Sequence, residues 1–387
     1  MENELFAAVI TGKGTGAIST IQLLGKGIET VIRKIFKSAG SKLLQIETGQ
    51  ILFGTIQDNE KIIDQVIIGC EGPSLIAIHC HGNPLIVEKI IKLLKKNNVQ
   101  ILTYEQFYTK ILSCQKQLNA IAIEAKFVQS KAKTIEGTKI VLNQVDSGLG
   151  KIIQNWLDKI EEMPINEIHE QIEEIFRSST IAKLIIFGCK VILIGPPNTG
   201  KSTLLNCLAG KEKSIVTDIS GTTRDWVTAQ CKIESLCLEL IDTAGLDENL
   251  STNIDSLSQK KTLELIELAD IVLLVLDNSK DSEFDNKILE TISGKKIITI
   301  LNKSDLPEKF DTSKLPDFLQ NIVRISAQKQ TGIENLIEAI RKKCGVANYN
   351  LQSPVCFTDR QENLLKRIKQ TESKDQIITF ISELLEI

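Results

Sequence analysis

The sequence has no Cys-x-x-Cys pair and only three histidines, shortages that remove the commonest metal centres from consideration. Its nine cysteines are scattered, and several, such as Cys189, Cys231 and Cys237, fall inside apolar runs where a small thiol packs well. That usage predicts a reducing compartment. His79 and His81 share one face of a predicted strand and His169 stands far off, too sparse a set for zinc. No apolar run approaches the ~18 residues that a membrane helix needs, and the start, Met1-Glu-Asn-Glu, has no basic segment of the kind that opens a signal peptide. A cytoplasmic protein without a membrane partner is expected. Positive charge is not in excess either: 46 Lys and Arg stand against 49 Asp and Glu, a net charge of −3. Any RNA contact must therefore come from a local patch. Candidates are Lys89, Lys92, Lys95 and Lys96, and Lys131, Lys133 and Lys139; each set also reads as a solvated helix face.

What is present is ample for real cores. The 387 residues are 42% apolar and 25% charged, which predicts two or three globular domains. Up to residue 110 the apolar runs are short and alternating (Phe6–Ile10, Ala17–Leu23, Ile51–Ile56, Val66–Ile68, Leu75–Ile78), followed by an amphipathic stretch from Leu85 to Leu94. This predicts a small α+β domain over 1–110. Over 111–185 the period becomes helical: Ile152, Ile153, Trp156, Leu157 and Ile160 form one stripe, Pro164 breaks it, and Ile168, Ile172 and Ile175 start another. From 186 to 346, apolar strands at Val191–Ile194, Leu236–Ile241, Ile271–Leu276, Ile297–Leu301 and Ile322–Ile325 alternate with helical stretches, the pattern of a mostly parallel sheet with helices on both faces. Residues 347–387 hold two more helices, Asp359–Lys369 and Gln376–Leu385, expected to pack on those of 111–185 and so make 186–346 an insertion. The fold class is multidomain α/β.

Chemistry concentrates in the inserted segment. Gly195-Pro-Pro-Asn-Thr-Gly200-Lys201-Ser202 follows the Val191–Ile194 strand and fits a phosphate-cradling loop. Glycines let successive N–H groups of Asn198, Thr199, Gly200, Lys201, Ser202 and Thr203 face the phosphates, Lys201 neutralises β/γ charge, and the Ser202 hydroxyl suits Mg2+. Asn302-Lys303-Ser304-Asp305 ends the Ile297–Leu301 strand, where Asp305 can accept from both N1–H and N2–H2 of guanine; adenine offers an acceptor at N1 and no amine at C2. Ser326-Ala327 matches the loop that supports the base. Asp242-Thr243-Ala244-Gly245 fits the switch loop whose aspartate holds magnesium through water and whose glycine N–H meets the γ-phosphate. Between these lies Thr217-Asp218-Ile219-Ser220-Gly221-Thr222-Thr223, in which a threonine completes the magnesium shell when γ-phosphate is present. The segment reads as a GTP/GDP switch. The residue after Gly245 is Leu246, which cannot orient a water as the glutamine of small signalling GTPases does, so hydrolysis needs another catalyst.

With these motifs, the loop that ends in Thr222-Thr223-Arg-Asp225, and its flanks, the chain resembles the MnmE (TrmE) family of tRNA modification GTPases. The flanking matches are Ala8 to Gly25, Ile63 to Val66, Cys80-His81-Gly82, Leu118 to Ala125 with Glu124, and Val355 to Arg360. The resemblance implies an N-terminal tetrahydrofolate-binding-like domain that dimerises, a helical domain in two segments, and an inserted G domain. It implies a homodimer, a partner resembling the FAD-binding protein MnmG, and tRNA as substrate, modified at position five of the wobble uridine. It implies potassium held by Asn198, Thr217, Ile219 and Thr222, leaving Ser202 and Thr223 for magnesium, with Asp255 at the family's water-orienting glutamate; the catalytic set is then Lys201, Thr223 and Asp255. The folate positions depart from the family: Gln22, Ala77 and Gln117 stand where an arginine, a glutamate and a lysine are expected, and no Cys-x-Gly-Lys segment closes the sequence. Two readings stay open, a GTP-driven tRNA modification protein and an RNA- or ribosome-associated switch GTPase that kept the scaffold but lost the folate-dependent role.

Overall fold

A computed structural model describes residues 4–12, 14–40, 47–72, 74–113, 119–210, 227–242, 263–281, 289 and 291–386. The chain forms two compact units, residues 1–119 and 120–387.

The first unit is one seven-stranded sheet with helices. Its strands are β1 (Leu5–Val9), β2 (Ile18–Leu24), β3 (Phe36–Ser38), β4 (Ile51–Asp58), β5 (Lys61–Gly72), β6 (Leu75–His81) and β7 (Val99–Ile101), in the order β3-β4-β5-β6-β2-β1-β7. Alternation sets the faces. Ile21, Leu23, Ile76, Ile78 and Cys80 point into the larger core, with Ile32 and Ile35 of helix Ile28–Ile35 and Ile90 and Leu94 of helix Pro84–Lys96. On the opposite face, Phe6 and Ala8 meet Phe107 of helix Tyr104–Ser113. β5 runs well beyond the predicted Val66–Ile68, because Lys61, Asp64, Gln65 and Glu71 interrupt the apolar signal and hide a twelve-residue strand from a search for apolar runs. Three-residue β3 and β7 are too short to carry a period.

The second unit joins a helical bundle to a six-stranded sheet. Strands β8 (Cys189–Ile194), β9 (Val227–Ile233), β10 (Leu236–Asp242), β11 (Ile271–Asp277), β12 (Ile297–Asn302) and β13 (Ile322–Arg324) lie in the order β13-β12-β11-β8-β10-β9, all parallel except the β9–β10 pair. β11 and β12 are buried along their whole length, as parallel strands covered on both faces must be. Ile271, Leu273 and Val275 face a core shared with helices Lys201–Ala209 and Ile333–Cys344, while Val272, Leu274 and Leu276 face a second core with Ile266, Ile292 and Leu319. The antiparallel edge strand β9 went unforeseen, because its Thr, Gln and Lys positions break the apolar signal.

Helices Ala120–Lys131, Ile135–Asp146, Leu149–Lys159 and Ile165–Phe187 form the bundle with Asp359–Lys369 and Lys374–Leu385. Pro164 caps the start of the long helix Ile165–Phe187, and Trp156, fully buried, donates its indole N–H to Gln171 Oε1 at 2.8 Å. Two polar hubs hold the late helices to the early ones. Gln144, fully buried, accepts at Oε1 from the Leu149 and Val355 N–H groups, both at 2.9 Å, and donates to the carbonyls of Ile140 and Ser353. Its amide is thus satisfied on both ends, the condition for burying one without penalty. Glu124 accepts from Thr358 Oγ1, from Gln361 Nε2 and, bidentately, from Arg360 at 2.8 and 3.0 Å; Arg360 in turn donates to the Glu383 and Leu384 carbonyls. Lys183 and then Lys366 draw the Glu362 carboxyl down to about 2 through ion pairs along the same seam. No helix among the described residues is long and apolar enough to cross a membrane.

Candidate functional site: a guanine-nucleotide switch

The carboxyl ends of the parallel strands position the site, because each strand hands its loop to the same edge of the sheet. β8 ends in the Gly195–Gly200 loop, which opens helix Lys201–Ala209. Two glycines in it have no substitute. Gly195 has φ 143°, and a Cβ there would lie 2.1 Å from the Val275 carbonyl; Gly200 has φ 92°, and its Cβ would lie 2.3 Å from Asn302 Nδ2. The loop is therefore pressed against β11 and the end of β12, with Asn198 also left-handed at φ 61°. Lys201 is buried, and its ammonium donates to the carbonyls of Gly195 at 2.8 Å and Pro196 at 3.1 Å, which aims the charge across the mouth of the loop.

β10 brings the second element. Asp242, its last residue, is buried and accepts from Ser202 Oγ at 2.6 Å, so the hydroxyl and carboxylate called for by magnesium meet. A hard, oxygen-seeking cation fits this pair, and bound there it would neutralise phosphate charge. Thr203 follows on the same helix.

β12 and the segment after β13 carry the base end. The Asn302 amide donates to the Thr199 carbonyl at 2.8 Å and accepts from the Ala327 N–H at 2.9 Å, fastening the phosphate loop to the base-supporting loop. Lys303, left-handed at φ 64°, donates to the Asn198 carbonyl and to Asp277 Oδ2 at 2.7 Å. Burial works to raise the Asp277 carboxyl, but hydrogen bonds from Lys303 and Ser279 outweigh it and hold the group below the usual carboxylate range. Asp305 stands exposed at the mouth, its carboxyl held low by a hydrogen bond from buried Ser326, and so an acceptor on both oxygens. The backbone thus brings together Asn198, Thr199, Gly200, Lys201, Ser202, Asp242, Asn302, Lys303, Asp305, Ser326 and Ala327. Asp277 escaped the sequence reading; an acid at the end of a wholly apolar parallel strand was the available signal. Thr217, Asp218, Ile219, Ser220, Gly221, Thr222, Thr223, Thr243, Ala244, Gly245 and Asp255 lie outside the described residues.

In the first unit, Gln22 on β2 and Ala77 on β6 are directly paired across the ladder. Gln22 donates to Glu71 Oε2 at 2.6 Å, and Ala77 is fully buried with only a methyl group to offer. Nothing at these two positions can pair with a charged part of a folate, and they do not fit that cofactor; Gln117 lies outside the described residues. Of the lysine patch on helix Pro84–Lys96, Lys92 pairs with Glu88 and Lys96 with Asp58, so half of it is already neutralised within the fold.

Comparison with known proteins places both units. Residues 5–106 match the family described as the GTP-binding protein TrmE N-terminus, and residues 190–303 match that of 50S ribosome-binding GTPases. The tRNA modification GTPase MnmE of Clostridioides difficile is 31% identical over 404 aligned positions, covering 94% of this chain and 87% of the relative. That of Ligilactobacillus salivarius is 30% identical, covering 92% and 84%, and that of Thermotoga maritima 29% identical, covering 95% and 88%.

Proposed function

The chain belongs to the MnmE family of tRNA modification GTPases, and from that premise we propose that it drives modification at position five of the wobble uridine, as a homodimer working with an FAD-binding partner of the MnmG kind. It is a GTP-hydrolysing tRNA modification protein that uses nucleotide-bound magnesium. The observation that carries the finer reading is the joining in one chain of a TrmE-type N-terminal unit and a nucleotide site whose described parts are all in place. In this reading residues 1–110 are the tetrahydrofolate-binding-like dimerisation domain, 111–185 and 347–387 the helical domain, and 186–346 the inserted G domain. The Gln144 and Glu124 hubs support a helical domain assembled from separated segments. A self-associating surface is supported by the outer face of β4 and β5, where Phe53 and Ile67 are paired neighbours and Ile51, Phe53 and Ile67 are 77%, 56% and 44% exposed.

Wobble uridines from a strain lacking this gene should carry no position-five group in tandem mass spectrometry of the tRNA, and restoring the gene should restore it. Unchanged uridines would refute the reading. The alternative, an RNA- or ribosome-bound switch without modification, draws on the buried methyl of Ala77 where the family has an acid.

Potassium held by Asn198 with Thr217, Ile219 and Thr222 would replace the missing glutamine by placing positive charge at the β/γ bridge, while Thr223 and Ser202 hold magnesium and Asp255 orients water. GTP hydrolysis in potassium buffer should then exceed that in sodium buffer about tenfold or more. Equal rates would sink the potassium assignment.

A further inference from the structure

The carboxylate that closes β11 has no place in the sequence motifs of the nucleotide site. Asp277 is buried, and every other residue of its strand is apolar. Its two oxygens are divided between partners. Oδ1 accepts from the Ser279 N–H at 3.0 Å and the Ser279 hydroxyl at 2.7 Å, while Oδ2 accepts from the Lys303 ammonium at 2.7 Å. The adjoining backbone is fixed without that lysine. Asn278 donates its N–H to the Asn302 carbonyl at 2.9 Å, its own carbonyl accepts from the Lys309 and Phe310 N–H groups, and its side chain accepts from Arg324. Oδ2 is therefore set in place by the ends of β11 and β12, and the lysine comes to it.

Lys303 needs such a partner. It follows β12 in the loop that carries Asp305, and its ammonium reaches the Asn198 carbonyl of the phosphate loop at 2.8 Å, so its methylene stem bridges the two loops. Both ends of the bridge are non-glycine residues in the left-handed region, Asn198 at φ 61° and Lys303 at φ 64°, a conformation that persists only where contacts hold it. The lysine side chain is 31% exposed, and one neutral carbonyl holds a hydrated ammonium weakly against its rotamer entropy. Asp277, with its side chain 5% exposed, supplies the charged acceptor.

As a source of stability the pair is a poor one, because desolvating a carboxylate cancels much of what the ion pair returns. The loops do not depend on it to stay together, since the buried Asn302 amide already joins Thr199 to Ala327. What the pair fixes is the course of the lysine stem. A nucleotide with its phosphates on the Gly195–Gly200 loop and its base at Asp305 lies along that stem, which offers it an apolar flank.

We propose that Asp277 is a positioning residue for guanine-nucleotide binding, acting through Lys303: by holding the ammonium against the phosphate loop it keeps the stem along the bound nucleotide and slows release. The inference rests on the nucleotide site alone, and its test contains no tRNA, so its failure is distinct from failure of the wobble-uridine reading.

The experiment follows release of GDP carrying a fluorescent methylanthraniloyl group from purified full-length protein, chased with excess unlabelled GDP in a stopped-flow instrument. In Asp277→Asn the side chain has one acceptor oxygen where the carboxylate has two, so it cannot serve Ser279 and Lys303 together. Release should speed about tenfold, and the KM for GTP should rise by about the same factor while kcat does not fall. Lys303→Met keeps an apolar stem without the ammonium and should speed release at least as much. Adding Asp277→Asn to it should change release less than about twofold, whereas a merely structural loss would add in either background. Release at the wild-type rate from either single variant would overturn the assignment. An undiminished effect of Asp277→Asn in the Lys303→Met background would also overturn it, by showing that Asp277 acts without the lysine. So would a kcat that falls together with affinity, the mark of a site loosened as a whole.

Discussion

Asp305→Asn is expected to weaken GTP about 10³-fold and to admit XTP in its place. The carboxylate, held ionised by Ser326, accepts from both N1–H and the C2 amine of guanine. An asparagine amide still accepts from N1–H, but its NH2 then faces another NH2, leaving two donors without acceptors. At about 2 kcal/mol for each group so stranded, the loss amounts to roughly three decades. Xanthine carries a carbonyl at C2, so the same amide pairs with it fully. The Asn302 bonds to Thr199 and Ala327 do not involve Asp305, and the loop architecture should survive the change. Competition calorimetry with the two nucleotides decides the matter; a variant that still prefers GTP would show that Asp305 does not read the base.

The second large effect is Lys201→Ala, which should lower GTP hydrolysis about 10³-fold. Its ammonium is buried at the mouth of the loop and spans the Gly195 and Pro196 carbonyls. Those carbonyls hold the ammonium at the mouth of the loop, where the phosphates of a bound nucleotide would sit. Removing it takes away both a stabiliser of charge that develops at the bridging oxygen and a tie across the loop. Single-turnover hydrolysis with GTP in excess of the weakened affinity separates these, since restored loop occupancy leaves only the chemical defect. A loss below about tenfold would mean that another cation does this work.

The nucleotide site was legible because each loop follows a strand whose apolar run is continuous, so strand, turn and functional residue could be read in order. The base end depends on Asp305 and Ser326, and their pairing follows from the loop positions alone. Asp277 was not legible, since its role requires knowing that β11 and β12 end side by side, with Asp277 opposite Asn302. The same limit hid the Asp64–His81 pair, which is a contact across strands and leaves no periodic trace along either one. In the first unit, alternation located β2 within one residue and the start of β6, whose end it set three residues early, whereas β9 escaped because an edge strand needs only one apolar side. Pro164 told the bundle where to break, yet nothing local told it that Gln144 would be filled by Val355.

That last contact spans 211 residues, and it sets a schedule. A ribosome adding about 5–20 residues per second delivers Val355 roughly 10–40 s after Gln144 has emerged. Throughout that interval the early helices have their apolar faces but neither their amide partner nor the Arg360 that completes Glu124. The nascent chain is thus most dependent on chaperone cover while its nucleotide-binding segment is being made, and a pause or a rare-codon cluster there would lengthen the exposure of the bundle rather than of the switch.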